Sequence, residues 1–341
     1  MAREDISDHA CGVSAAGLAE YLGISTAAVS YALNGKSGVS DHTRKRVLDA
    51  AKKFGLEIPA RAEMGARTKP LLGLILADLR NPFYQKLGVA VSQEARNAGF
   101  DSYLSHTEDD PHQLLSTVKA MADHHVDGII LTATQDGDAS VARELRKYGI
   151  PYVQVSRKMP TVQAPFVGID NSTAAYELAV YVADKGYTNV ALALGPRRSS
   201  ASNERLSGYL LGLLENGISV PQEWIIRIPL GVEGGLQAAR YFRGLSRGLP
   251  EVIICGTDAI AYGVYSDFSL SGISIPRDVA LTGFDGVMDP FEKELELTTI
   301  VQPITQMAGA AVSYLGDLVR NVRVAPHEVI CRYEMRIGNS C

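Results

Sequence analysis

The chain has 341 residues, of which 46% are hydrophobic and 21% charged, and a formal net charge of −5. These values describe an ordinary globular protein of two or three domains that can bury its own core without disulfides or metals. No run of 18 apolar residues occurs, which excludes a spanning helix, and Cys11, Cys255, Cys331 and Cys341 lack metal-ligand or CxxC spacing, as expected in a reducing compartment.

Residues 1–13 read as a disordered tail. Their first ten positions are polar and acidic with no apolar h-region, so no signal peptide is expected and the expected location is the cytoplasm. Residues 14–58 read as three short helices. Ala15, Leu18, Ala19 and Leu22 follow the i, i+3, i+4, i+7 spacing of an amphipathic helix that Gly23 ends. Ser25 suits the N-cap of a second helix with an apolar face of Ala28, Val29, Ala32 and Leu33, closed by Asn34-Gly35. Ser40 suits the cap of a third, with Val47, Leu48, Ala51 and Phe54 inward. Residues 59–70, from Pro59 to Pro70, read as a linker. Between 14 and 69 there are nine Lys/Arg against five Asp/Glu, a net of +4 on a chain that is acidic overall. A basic head on an acidic body suggests a polyanionic partner at one end.

From Leu71 onward, short apolar runs alternate with amphipathic stretches. The runs are Leu71–Leu76, Asp127–Leu131, Tyr152–Val155, Val190–Leu194, Val252–Cys255 and Val279–Leu281. Pro82–Asn97, Asn171–Lys185 and Ser202–Asn216 are typical of the stretches between them. Continuous apolar strands between helices predict α/β architecture with parallel sheets covered on both faces. Some 270 residues suit two lobes better than one sheet.

Two helices joined by Gly23-Ile24-Ser25, with a third behind them, form a helix-turn-helix pattern. The second helix can lay its outer face, Thr26, Ala27, Ser30 and Tyr31, in a major groove wide enough to admit it. A small helical bundle with no nucleic-acid role fits the same three helices. The stretches Leu18-Ala19-Glu20-Tyr21-Leu22-Gly23-Ile24-Ser25 and Ala28-Val29-Ser30-Tyr31-Ala32-Leu33-Asn34-Gly35 resemble the headpiece of the LacI/GalR family of bacterial regulators. Further landmarks follow in order: Asp78 to Tyr84, Gly195-Pro196, Arg205 to Tyr209, Gly283-Phe284-Asp285, Thr298-Thr299-Ile300 and Gln302-Pro303. Each is weak alone, but the ordered set spans almost the whole chain.

That resemblance implies a helix-turn-helix headpiece (14–58), a hinge (59–70) and a two-lobed, periplasmic-binding-protein-like sensor (71–341). Lobe 1 is expected over about 71–168 and 302–324, and lobe 2 over about 169–301 and 325–338. The implied function is an allosteric transcriptional regulator, read here as a repressor. Its implied partners are double-stranded operator DNA with two-fold symmetry, a small-molecule effector such as a sugar or sugar derivative, and a second copy of the chain. Without a heptad tail after Ile337, a homodimer is expected rather than a tethered tetramer. No cofactor, metal or membrane partner is implied.

Residue by residue, Thr26, Ala27 and Tyr31 fall on base-reading positions, and Ser25, Ser30 and Asn34 on positions that hold phosphate or helix register. Lys36, Arg44 and Lys45 are expected at the DNA backbone, with Arg61 and Met64 in the hinge. The hinge departs from the family pattern. Ala66 stands at the leucine wedge position, Ala60 replaces the usual asparagine, and Glu63 and Gly65 disfavour phosphate contact and helix respectively. Weaker bending of DNA is therefore expected. In the sensor, Phe83, Tyr84, Ser156, Arg205, Asp258 and Asp285 are the implied effector residues. An interlobe salt bridge is the alternative role for Arg205 and Asp285, and a helix cap for Asp258. Ser156 stands where aspartate is common, and Arg197 and Arg198 would favour an anionic effector only if turned inward.

Two competing functions are weighed. A periplasmic sugar-binding protein would share the lobes but needs a leader and no headpiece. An enzyme needs a motif, and GxGxxG, Walker A and GxSxG are all missing; Ser116-x-x-Lys119 lies inside an amphipathic stretch, and His124-His125 has no partner at metal spacing.

Overall fold

The computed structural model describes residues 14–33, 39–56, 69–132, 139–159, 162–287, 295–322 and 327–341. The expected tail (1–13) and most of the expected linker lie outside them. The chain divides into two compact units, Met1–Pro70 and Leu71–Cys341.

Among the described residues of the first unit three helices form: α1 (Ala15–Leu22), α2 (Thr26–Leu33) and α3 (Asp41–Lys53). Serine hydroxyls satisfy the free amides at their starts. Ser14 Oγ accepts from the Gly17 amide at 3.3 Å, Ser25 Oγ from Ala28 at 3.1 Å and Ser40 Oγ from Thr43 at 3.2 Å. Gly23 closes α1 at φ +65°, a left-handed turn that costs glycine nothing. Leu18, Val29, Ala32, Val47 and Ala51 are fully buried and make the small core where the three helices meet.

The second unit contains two six-stranded sheets. The first runs β2 (Asp101–His106), β1 (Leu71–Leu76), β3 (Gly128–Leu131), β4 (Tyr152–Val155), β5 (Phe166–Gly168) and β11 (Glu328–Ile330). The second runs β7 (Ile225–Arg227), β6 (Val190–Leu194), β8 (Val252–Cys255), β9 (Ala280–Asp285), β10 (Thr298–Val301) and β12 (Glu334–Arg336). Neighbours are parallel except β10 and β12, which are antiparallel. The central strands β3, β6 and β8 are buried at every residue, which is why they read as unbroken apolar runs.

Helices α4 (Pro82–Asn97), α5 (Pro111–Asp123), α6 (Ala139–Tyr148) and α11 (Ile304–Val319) belong to the first lobe. Helices α7 (Asn171–Asp184), α8 (Ser200–Glu215), α9 (Val232–Arg243) and α10 (Asp258–Leu270) belong to the second. The crossing of α9 and α10 is tight because two glycines meet there. A methyl carbon on Gly235 would fall on the Ile260 carbonyl, and one on Gly263 on the Val232 carbonyl.

The chain passes between lobes three times: after β5, after β10 and between β11 and β12. The third passage corrects the expected boundary, which gave all of 325–338 to lobe 2. Glu328–Ile330 instead pairs in parallel with Phe166–Gly168 and closes the open edge of the first sheet. Only Glu334–Arg336 joins the second sheet, against β10.

Candidate functional site

The outer face of α2 presents Thr26, Ala27, Ser30 and Tyr31 to solvent, with Tyr31 42% exposed. Ser25 is exposed as well, although its hydroxyl already caps α2. Lys45 and Arg46 are exposed on α3, and Arg46 Nη2 donates to the Leu22 carbonyl at 3.3 Å. Arg44 departs from expectation. It is only 5% exposed, and its Nη1 donates to the carbonyls of Tyr31 at 3.4 Å and Ala32 at 3.2 Å. A guanidinium placed there complements the negative end of α2 and ties α3 to it. Its charge is spent inside the fold rather than held out to a phosphate. Asn34, Lys36, Arg61 and Met64 lie outside the described residues, as do hinge positions Ala60, Glu63, Gly65 and Ala66.

In the second unit a narrow recess opens between the carboxyl ends of the two sheets. This is the usual ligand position in open α/β sheets. Its lining comes from beyond strand ends on both lobes: Asn81, Phe83 and Tyr84 after β1, Ser156 and Arg157 after β4, Ser199, Ala201, Ser202 and Arg205 after β6, Leu230 after β7, Thr257 after β8, and Asp285 ending β9. Five of the six expected effector residues, Phe83, Tyr84, Ser156, Arg205 and Asp285, are brought together here.

Asp78 to Asn81 form the loop that aims the aromatics. Asn81 Oδ1 accepts from the Phe83 amide at 2.9 Å, and Pro82 begins α4 with φ already set for a helix. Phe83 and Tyr84 then pack edge to face at 5.1 Å. Burial pushes the Tyr84 phenol up to about 12, so it stays a neutral donor. Arg157 lies over the Tyr84 ring at 5.4 Å and is ion-paired with Asp109. Burial would lower the Arg157 guanidinium, but Tyr84 and Asp109 beside it hold it above its usual range. Ser156, at φ +67°, adopts a backbone that L-residues rarely take, and Asp285 does so at φ +128°. Such conformations persist where surrounding structure over-determines them, and ligand clamps are a common place for them.

Arg205 and Asp285 form the polar heart of the recess. Arg205 is 6% exposed, stacks over the Phe284 ring at 3.5 Å, and donates from Nη1 to the Gly256 carbonyl at 2.6 Å. Nη1 also lies 3.7 Å from Asp285 Oδ1. Asp285 Oδ1 accepts from Gln302 Nε2 at 2.7 Å. Its other oxygen, Oδ2, is buried with no hydrogen-bond partner among the described residues. Burial pushes this carboxyl up to about 7, against the pull of Arg205. An unsatisfied buried acceptor costs about 1–3 kcal/mol, which a donor on a bound molecule would recover.

Asp258 is the expected effector residue that the fold places elsewhere. It is fully buried at the first turn of α10, outside the lining, with Thr257 as the cap. Its Oδ2 accepts from the Val287 amide at 2.7 Å and its Oδ1 from Thr299 Oγ1. Both oxygens are consumed in tying α10 to the segments after β9 and in β10. Arg197 and Arg198 are exposed, so neither turns inward. Of the other motifs, Ser116 Oγ donates to the Gln113 carbonyl within its own helix, and the rings of His124 and Tyr103 pack 5.5 Å apart. Arg157, Asn81, Ser202 and Thr257 line the recess without having been singled out from sequence as ligand residues. Their shared signal is position just beyond the carboxyl end of a strand.

Comparison with known proteins agrees with this arrangement. Residues 69–321 match the family described as periplasmic binding proteins and sugar binding domain of LacI family, and residues 17–56 match the lacI family of bacterial regulatory proteins. The HTH-type transcriptional regulator MalR of Streptomyces coelicolor is 31% identical over 326 residues, covering 92% of this chain and 91% of that protein. Among solved structures, a transcriptional regulator CelR–cellobiose complex has a TM-score of 0.72 at 22% identity, covering 96% of this chain and 99% of the other. A lac repressor dimer bound to operator and the anti-inducer ONPF has a TM-score of 0.71 at 21% identity, covering 97% and 99%. With both segments matched in order and a relative this similar along nearly its full length, the chain belongs to the LacI family of DNA-binding transcriptional regulators.

Proposed function

We propose that this protein is a cytoplasmic repressor that binds a two-fold symmetric operator as a homodimer and responds to a small polyhydroxy effector, a sugar or sugar derivative, in the interlobe recess. The observation that carries the effector reading is Asp285 Oδ2, buried without a partner among the described residues, beside a guanidinium that lies on an aromatic face. A carboxylate so placed calls for hydroxyl donors. Phe83 and Tyr84 suit the apolar faces of a sugar ring. On DNA, Thr26 and Tyr31 would hydrogen-bond base edges, Ala27 would touch a thymine methyl, and Ser25, Ser30 and Lys45 would meet phosphates. The relatives whose names mention a repressor, an operator or cellobiose are consistent with this reading.

Selection of bound duplexes from a random pool, repeated with a panel of sugars and sugar phosphates, tests both halves. Recovered sites with two-fold symmetry and a sugar that changes their retention are the expected result. Asymmetric sites would overturn the dimer, and indifference to every sugar would overturn the effector class.

A further inference from the structure

The Arg205–Asp285 pair is fastened at both ends, and each fastening lies on a passage between the lobes. Arg205 Nε donates to Asn171 Oδ1 at 2.9 Å. Asn171 is 2% exposed and begins α7, immediately after the chain leaves β5 of the first lobe. At the other end, Asp285 Oδ1 accepts from Gln302 Nε2 at 2.7 Å, and the Asp285 carbonyl accepts from the Gln302 amide at 3.1 Å. Gln302 is 4% exposed and sits between β10 of the second lobe and α11 of the first. A continuous polar chain, Asn171–Arg205–Asp285–Gln302, therefore runs across the recess from one passage to another. Its middle link is an ion pair of 3.7 Å, longer than a hydrogen bond, so it is the compliant part.

We propose that Asn171 and Gln302 are positioning residues that convert movement of the Arg205–Asp285 pair into rotation at two of the three interlobe passages. The inference rests on the recess being the effector site, but it concerns how the site is coupled rather than what fills it. A molecule that gives Asp285 Oδ2 a donor, or draws on Arg205, changes the geometry of the pair. Because both partners are buried and tethered to passage residues, that change is passed to the backbone where lobe orientation is set. Neither tether is itself part of the lining, so each acts through the lining residue it holds. Asn171 is itself steadied by Glu204, whose Oε2 accepts from Asn171 Nδ2 at 3.0 Å. The fixed tether thus has support on the α8 side, and Gln302 has two hydrogen bonds to Asp285 on the other.

The test uses full-length protein without any sugar, so its outcome is separable from that of the effector panel. Spin labels at two exposed positions, Lys119→Cys in the first lobe and Glu233→Cys in the second, report the interlobe distance by pulsed electron paramagnetic resonance, in a background with Cys11 and Cys341 changed to serine. Gln302→Met is expected to raise the population of separated lobes about fivefold, the effect of losing one buried hydrogen bond, and Asn171→Leu, which loses its bonds to both Arg205 and Glu204, by at least as much. Gln302→Met is expected to add nothing further when Asp285→Leu is already present, and Asn171→Leu nothing further to Arg205→Met. Residues that merely stabilise the fold would lower the melting temperature without shifting the interlobe distances, whereas pairs that act as one link are non-additive. Unchanged distances in the single variants, or additivity in the pairs, would overturn the proposal. Should Gln302→Met fail to fold, Gln302→Asn, one methylene short of Asp285, is read by the same two criteria.

Discussion

Replacing Asp285 by asparagine puts a number on the cost of leaving that carboxylate half-satisfied. Burial raises its carboxyl from 3.8 to about 7, even with Arg205 opposing. The folded chain therefore holds a proton that the unfolded chain has already released between about pH 4 and 7. Across that window the folded state binds more protons, so this group's contribution to stability falls as pH rises, and it levels off above about 7. At about 1.36 kcal/mol per pKa unit the total is roughly 4 kcal/mol. Asparagine resembles the neutral carboxyl and keeps an oxygen for Gln302. Asp285→Asn should thus match the wild type near pH 4 and exceed it above pH 7, by up to about 10 °C in melting temperature for a unit of this size. Thermal melts of both proteins from pH 4.5 to 8.5, without sugar, check this. A variant less stable than wild type at pH 8 would mean that the ion pair with Arg205 outweighs burial, and the argument for an unsatisfied acceptor would fail.

Two further outcomes follow from geometry. Arg44→Ala should cost the headpiece about 2–3 kcal/mol through its lost hydrogen bonds to the Tyr31 and Ala32 carbonyls, seen by circular dichroism as a lower headpiece transition. The salt dependence of operator binding should be unchanged in that variant, whereas Lys45→Ala should leave the melt alone and reduce the log–log salt slope by about 0.9; a reduced slope for Arg44→Ala would place it at a phosphate after all. Gly235→Ala should destabilise the second lobe by about 1–3 kcal/mol, because the added methyl meets the Ile260 carbonyl on α10. A melt unchanged from wild type would show that the α9–α10 crossing has slack.

Much of the fold was legible because burial on both faces leaves a plain trace. Leu71–Leu76, Tyr152–Val155, Val190–Leu194 and Val252–Cys255 were readable as apolar runs and are strands with those bounds. The strands that left no such trace are short or lie at the sheet edges. Asp101–His106 is exposed at nearly every residue, and Ile225–Arg227 and Glu328–Ile330 are three residues each. A solvated edge need not be apolar, so periodicity is silent there. The same silence misplaced the third passage between lobes, expected near 324–325 and found between β11 and β12. In the headpiece, spacing made the inward faces of the three helices legible except at Ala15, which is exposed at the start of α1, and it missed the burial of Arg44. Spacing says which face a residue takes, and says nothing of whether an arginine there finds carbonyls or solvent.

The two aspartates show where sequence reading stops and why. Asp258 and Asp285 each follow the end of a strand, each is almost wholly buried, and burial raises both carboxyls, to about 6 and about 7. Nothing in their flanking residues separates a ligand group from a structural one. The difference is a count of donors. Asp258 receives the Val287 amide on one oxygen and the Thr299 hydroxyl on the other, so both oxygens are engaged within the fold. Asp285 receives Gln302 on one oxygen and leaves the second without a partner at the edge of the recess. Those donors come from positions 17 to 41 residues away in the chain, delivered by strand register and by the passage after β10. A carboxylate's availability for recognition is thus a property of its surroundings, set by which neighbours fold against it, and here it gives the first aspartate a scaffolding role and leaves the second with an acceptor open among the described residues.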